Sequence, residues 1–216
     1  MHQESAYMLE ELKIAAWKVL STIHILPLKW KGVQFGKKCF IDGKPYVRTA
    51  KGSRIILGDD VTLISRARHN PLIKHEVMLS TITPSAEIRL GNHVGISGCN
   101  IVCSNKVTIG DYTIIGPNTT IYDSEGHHYS PETGWRIRNI RSGSPISIGK
   151  KCYIGAECTI LSGVTIGDNC VVSAGSIVTR DIPAGHQASG NPVTCVPLPK
   201  LLGGPGKKHK TNTEEN

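Results

Sequence analysis

The sequence predicts an all-β fold, a solenoid of short parallel strands with a helix before it and one loop extruded from it. Two observations carry this. An aliphatic residue returns every six positions over long stretches, and glycine reaches 23 residues while aromatics are only 5% of the chain, so the core must be small and aliphatic. The C-terminal half divides almost without remainder into IGKKCY IGAECT ILSGVT IGDNCV VSAGSI VTRDIP, from Ile148 to Pro183. A period of six matches neither a helix nor a bare strand, but it fits a short strand followed by a turn. Three such units returning to the same face make a coil of 18 residues, stacked on its neighbours at about the 4.8 Å strand spacing.

Each segment follows from this frame. Leu9, Leu12, Ala16, Val19 or Leu20, and Ile23 fall on one helical face, with Ser5 a candidate N-cap and Pro27 ending the pattern; packing on the solenoid is the simplest use of that face. The basic stretch from Lys29 through Arg54, with Trp17 and Trp30, also permits peripheral contact with a membrane. Residues 1–53 are therefore a helix and lead-in, and the solenoid is expected over 54–197, beginning weakly at LGDDVT from Leu57. Upstream units LGNHVG ISGCNI VCSNKV put Leu90, Ile96 and Val102 first, slip by one residue at Thr108, and resume as IGDYTI IGPNTT. The first residue of each unit should point inward, and the fifth should be small: Cys152, Cys158, Val164, Cys170, Ser176. The repeat then stops over a loop at 122–147 that carries His127 and His128, and residues 198–216 are too polar and glycine-rich to pack alone.

Composition narrows the function. No apolar run reaches the roughly 18 residues of a membrane span, and the N-terminus lacks a signal-peptide pattern, so a cytoplasmic protein, or one at the inner face of the membrane, is expected. The seven cysteines are odd in number and form no CxxC pair, which argues against a disulfide framework or a zinc knuckle. Cys152 and Cys170, 18 apart, read as stacked core filler. Despite a net charge of +8, the cations are scattered apart from KKHK near the C-terminus, so no nucleic-acid partner is expected. A phosphorylated cofactor or an anionic surface suits that charge as well.

The in-phase units ending in VTRDIP and GNP, densest from Gly163 to Pro192, resemble the hexapeptide-repeat acyltransferases over about residues 85–195. Within them the chain is similar to the sugar O-acetyltransferases, including the maltose, galactoside, capsule and O-antigen enzymes. The resemblance implies a left-handed parallel β-helix; the hand comes from the resemblance alone, because parallel crossovers are usually right-handed. It also implies a homotrimer with active sites between subunits, acetyl-CoA as co-substrate, a saccharide acceptor and no metal. Alignment on IGPNTTI puts His127 at the catalytic position, where imidazole can take a proton from the acceptor hydroxyl. A backbone N–H near Gly155 or Ala156 is the expected oxyanion donor.

By the same resemblance, Ala156 and Ala174 match backbone contacts to the pantetheine arm, and Thr179 with Arg180 matches a Thr-Lys pair near the adenosine phosphates. Tyr153 stands where a tryptophan is common, while Thr194 and Pro197 replace basic residues after GNP, for which Lys200 or KKHK would have to substitute. Ser97 and Asn105 fall at acceptor positions that hold Asn and Asp in galactoside-type enzymes. His128 is a candidate acceptor contact, Trp135 a platform for a sugar face, and RIRNIR either an anion contact or the solvated side of the loop. Competing readings are N-acetyl transfer to an amino sugar or antibiotic, a γ-carbonic-anhydrase-like metal site, and a non-catalytic solenoid. His93, His127 and His128 lack the spacing of that metal site, the antibiotic group's Tyr-Pro-Phe is missing after HH, and a bare scaffold has no reason to extrude the loop.

Overall fold

The computed structural model describes residues 21–136 and 143–199. A helix, α1, covers 21–30 and leads into a three-sided prism. Its first coil is β1 (Val33–Phe35), β2 (Phe40–Asp42) and β3 (Tyr46–Arg48). The second is β4 (Arg54–Leu57), β5 (Thr62–Ile64) and β6 (Met78–Thr81), and the third β7 (Glu87–Leu90), β8 (Gly95–Ser97) and β9 (Asn100–Cys103). The fourth coil, β10 (Lys106–Ile109), β11 (Ile114–Ile115) and β12 (Thr120–Tyr122), precedes a hairpin of β13 (His128–Ser130) and β14 (Gly134–Arg136). Two more coils follow: β15 (Ile146–Ile148), β16 (Tyr153–Ile154) and β17 (Thr159–Ile160), then β18 (Thr165–Ile166), β19 (Val171–Val172) and β20 (Ile177–Val178). The antiparallel pair β21 (His186–Gly190) and β22 (Val193–Pro197) closes the far end.

Strands stack into three parallel sheets, β1-β4-β7-β10-β15-β18, β2-β5-β8-β11-β16-β19-β21 and β3-β6-β9-β12-β17-β20. The register of 18 is visible where Ser147 pairs with Thr165, Tyr153 with Val171 and Thr159 with Ile177. Ile148, Ile154, Ile160, Ile166, Val172 and Val178, the first residues of successive units, are all at most 2% exposed and fill the axis.

The corners explain the rest of the unit. A Cβ on Gly110, at the second position, would stand 2.7 Å from the Gly149 carbonyl carbon one coil on, too close for any side chain. The fourth position turns left-handed: φ is near +60° at Tyr112, Asn118, Lys151, Glu157 and Asn169. The fifth is small and buried, and where it is threonine or cysteine it also donates. Thr113 and Thr119 give hydroxyl bonds to the carbonyls of Gly149 and Gly155 (2.8 and 2.9 Å), and the Cys152 thiol reaches the Gly167 carbonyl (3.1 Å). These cysteines thus satisfy carbonyls of the next coil, a role that filler alone does not describe. All seven are unpaired, and burial pushes the thiols of Cys99, Cys152 and Cys158 up, which keeps them protonated and inert.

Several expectations change. The first coil lies at 33–48, upstream of the expected start at residue 54. Val102 does not point inward: Ile101 and Cys103 are fully buried on either side of it. The register shift involves two corners: Ile101 follows Ile96 by five residues, at the tight corner where Gly98 adopts φ +46°, and Ile109 follows Ile101 by eight. Pro27 does not end α1, which continues to residue 30, with the Pro27 carbonyl accepting from the Lys31 N–H at 3.3 Å. The bond that proline cannot donate would have gone to Ile23, whose side chain is exposed. Ser5 and the other helix positions before residue 21, and the tail from Lys200, lie outside the described residues.

Candidate active site

Between coils four and five the chain leaves the prism at the edge joining the third sheet to the first. The stacking does not notice the excursion, because β12 still pairs with β17 and β10 with β15. A buried carboxylate closes the gap. Asp123, fully buried just after β12, accepts the backbone N–H groups of Ser104 (2.7 Å), Asn105 (2.7 Å) and Lys106 (2.9 Å), and the Ser104 hydroxyl at 2.9 Å. Burial and then the Asp123 charge push the Cys103 thiol below it up to about 12. The returning chain is tied to the same group: Gly143 N–H donates to the Ser104 hydroxyl (2.8 Å), and the Ser162 hydroxyl donates to the Asp123 carbonyl (2.6 Å). A Cβ on Gly143 would overlap that carbonyl, so only glycine lets the two stems close.

Above this clamp the expected loop is partly a β-hairpin. His128 pairs with Arg136 and Tyr129 with Trp135, joined by a turn through Thr133 and Gly134 (φ +69°). The sequence signal was Tyr-Ser-Pro-Glu-Thr-Gly-Trp, two aromatic positions flanking a proline-to-glycine turn. His127 sits at the foot of the first hairpin strand, exposed, just after the left-handed Gly126. The side chains of His128 and Trp135, and the RIRNIR run beyond Arg136, lie outside the described residues.

Asn105 is on the same edge as His127, but its side chain is engaged: Nδ2 donates to the Gly143 carbonyl at 2.7 Å. Its structural role is therefore to staple the loop. Thr179 and Arg180, both exposed, follow β20 on this edge two coils on. Ser97, Gly155, Ala156 and Ala174 instead occupy the edge between the second and third sheets. Tyr153 lies on the outer face of the second sheet, about half exposed, in register with Ile114 and Val171. The described residues thus bring the proposed base, Thr179 and Arg180 to one edge of the prism, and Gly155, Ala156 and Ala174 to another.

The second of these edges has an open hydrogen-bonding pattern. On the edge between the first and second sheets, four third-position N–H groups are capped by a side chain from the next coil, Lys37 by Asp59 (2.7 Å), Asp59 by Asn92 (2.9 Å), Asn92 by Asp111 (2.8 Å) and Lys150 by Asp168 (2.8 Å), while those of Asp111 and Asp168 are not. The equivalent residues here are Pro117, Ala156 and Ala174, which carry no acceptor. Among the described residues nothing accepts the Ala156 and Ala174 N–H groups, which lie one coil apart. The Gly155 N–H, by contrast, is used on the Val172 carbonyl at 2.8 Å, which leaves Ala156 as the candidate oxyanion donor of that pair.

Sequence reasoning missed the neighbouring strap. Residues 65–77, inserted between β5 and β6, run along this same edge: Lys74 N–H donates to Asn118 Oδ1 (2.9 Å) and its ammonium meets Glu157 at 2.5 Å. At its start Asp42, 7% exposed, holds the His69 ring and faces Arg66 and Arg68. His93 stacks on Tyr112 with ring centroids 4.4 Å apart, and among the described residues no cluster of three His, Cys, Asp or Glu side chains is arranged for a metal.

The family model for the hexapeptide repeat of succinyl-transferase matches residues 145–180, the stretch whose coils are most regular. The chain is 46% identical to the galactoside O-acetyltransferase of Escherichia coli over 96 residues, 44% of this chain and 46% of that protein. To nodulation protein L of Rhizobium leguminosarum bv. viciae it is 49% identical over 106 residues, 49% of this chain and 54% of that one. The chain spans about half the length of the curated relatives it matches. Among solved structures, AntD, an N-acyltransferase from Bacillus cereus in complex with dTDP and coenzyme A, superposes with a TM-score of 0.63 at 20% identity, covering 82% of this chain and 89% of that one. At that identity the likeness concerns the fold, a left-handed parallel β-helix.

The clamp under the hairpin makes a direct prediction. Asp123→Asn replaces an acceptor by an amide whose N–H groups face other donors, and should lower unfolding free energy by about 2–4 kcal/mol. Thermal unfolding and protease nicking within 124–142 read this; an unchanged melting temperature with an unchanged nicking rate would show that Asp123 does not hold the loop.

Proposed function

We propose that this chain transfers an acetyl group from acetyl-CoA to a hydroxyl of a saccharide, directly and with His127 as general base, in the biosynthesis of a surface polysaccharide. The observation that carries the reading is the exposed His127 raised on a clamped hairpin from a prism that also offers two open N–H groups at Ala156 and Ala174. The acceptor oxygen attacks the thioester carbonyl carbon while the His127 imidazole takes its proton. The carbon–sulfur bond then breaks, and the coenzyme A thiolate receives that proton from the imidazolium. An acetyl ester and a free thiol result, and no acyl-enzyme forms. The Ala156 N–H faces the developing oxyanion, and the Ala174 N–H meets an amide carbonyl of the pantetheine arm. Arg180 with Thr179 serves the adenosine phosphates, where a guanidinium fork suits phosphate geometry. Tyr153 covers the cofactor, and His128, Trp135 and Ser97 face the acceptor.

Because the base and the open N–H groups occupy different edges, the reading requires neighbouring protomers: a homotrimer in which the hairpin of one subunit reaches the cofactor edge of the next. A cytoplasmic setting suits both the coenzyme A thioester and seven unpaired cysteines.

Free-thiol release with acetyl-CoA across a panel of nucleotide sugars, lipid-linked oligosaccharides, polysaccharides and amino sugars tests the activity and separates O- from N-acetylation. Folded His127→Ala should lose about 100- to 10,000-fold in kcat with little change in KM for acetyl-CoA; near-normal turnover would overturn the assignment. Ala174→Asp places a carboxylate above Ala156 as Asp168 stands above Lys150, so it should fold normally while binding of coenzyme A weakens at least about tenfold from capping and charge repulsion. Unchanged affinity in calorimetry would remove this edge from the site.

A further inference from the structure

The helix α1 has two apolar sides, and only one of them is used by the solenoid. Toward the open end of the first coil it buries Ser21, whose hydroxyl accepts the Ile41 N–H at 2.8 Å, and Leu28, which joins the core. The opposite side carries Ile23, Leu26 and Trp30, respectively 58%, 50% and 87% exposed. Their spacing of three and four makes one stripe along the helix, and in the sequence the same spacing continues upstream through Val19, Ala16, Leu12 and Leu9. Ile23, expected to pack on the solenoid, faces away from it.

Charge along the chain from α1 through the first coil is one-sided. Residues 21–54 contain eight lysines and arginines against one acidic residue, Asp42, which is buried and paired; the whole chain carries only +8. Lys29 and Lys31 flank Trp30. Burial, and after it the Arg66 charge, opposed by Asp42, with a further contribution from Lys44, hold His24 of the same helix below its usual range. Lys44 lines one hollow with Lys31, which follows α1, and with Glu76. An exposed apolar stripe ending in tryptophan and bordered by cations matches the chemistry of a bilayer interface, where the indole sits at headgroup level and lysines meet lipid phosphates. A second copy docking here would meet the same positive excess. Among the described residues no helix is long and apolar enough to cross a membrane, so contact is with the surface.

We propose that the α1 end of the solenoid is a docking surface for an anionic lipid bilayer, with Ile23, Leu26 and Trp30 inserted at the interface and Lys29, Lys31 and Lys44 against the headgroup phosphates. With α1 lying across the first coil, the prism stands on the membrane, and coils four and five carry the hairpin roughly 15–20 Å above it at ~4.8 Å per coil. This goes beyond the acetyl-transfer reading and does not depend on it.

Cosedimentation of the full chain with vesicles of phosphatidylcholine alone or mixed with phosphatidylglycerol tests the surface. Binding to the anionic vesicles should exceed that to neutral ones by at least about tenfold and fall as salt is added. Leu26→Ser with Trp30→Ser, and separately Lys29→Glu with Lys44→Glu, alter exposed side chains and should each reduce anionic-vesicle binding about tenfold while the circular dichroism spectrum and melting temperature stay unchanged. Equal partition onto both vesicles, or undiminished binding by the serine pair, would overturn the proposal. So would a serine pair that lowers the solution mass of a protein that binds no vesicle, since the stripe would then belong to a second copy.

Discussion

The close stacking of one coil's backbone on the next governs most of this molecule. Parallel N–H to C=O pairing brings corner residues into near contact with the corner above, so a Cβ at Gly110 has no room and the fourth residue must turn left-handed. The fifth must be small enough to sit inside, and where it is threonine or cysteine it also satisfies the next coil's carbonyl. The third decides whether the N–H below it is capped from within the protein. Asp and Asn cap it along one edge, and alanine leaves it open along another. The proposed binding edge is thus the scaffold's own ladder with its internal acceptors omitted.

That ladder also sets where the chain can be interrupted. Insertions leave at corners, where no strand pairing is lost, and the two internal insertions here do so on different edges. The strap at 65–77 is fastened by Lys74 to Asn118 and Glu157 along the edge that ends in the two alanines. The hairpin is fastened by Asp123, whose carboxylate accepts from three consecutive N–H groups of the corner below. Rigid fastening is what a catalytic side chain on a loop requires, because a misplacement of about 1 Å can cost a large share of the rate. Asn105 contributes to that rigidity through the Gly143 carbonyl, a different use from the acceptor contact its alignment suggests.

Where one residue type repeated at a fixed interval, the sequence was legible. From Ile148 to Val178 each inward position was read correctly, because short two-residue strands allow only one inward residue per side. The reading failed at Val102, where a four-residue strand buries alternate positions and a tight corner at Gly98 removes one residue from the count. The first coil escaped notice because its unit FGKKCF begins with Phe35 in place of an aliphatic residue and its next corner carries Pro45. At the candidate site, resemblance singled out His127 as the proposed base, while Asp123 was passed over, since a buried acid reads as an ordinary loop carboxylate until its donors are brought together in space. Ile23, the one residue of the expected helical stripe within the described residues, faces outward for a related reason: a helix with apolar residues on two sides does not say which side the solenoid takes.

The central claim is that catalysis is shared between edges of neighbouring protomers, and one experiment addresses it directly. His127→Ala and Ala174→Asp chains are co-expressed and the mixed assemblies assayed for thiol release at an acetyl-CoA concentration low enough that the Ala174→Asp chain alone turns over little. Sites that take the hairpin from one chain and the alanine edge from the next should recover up to about a quarter of normal activity in a randomly mixed pool. A mixed pool that stays as inactive as its two parents would contradict the account and place both groups in one chain's site.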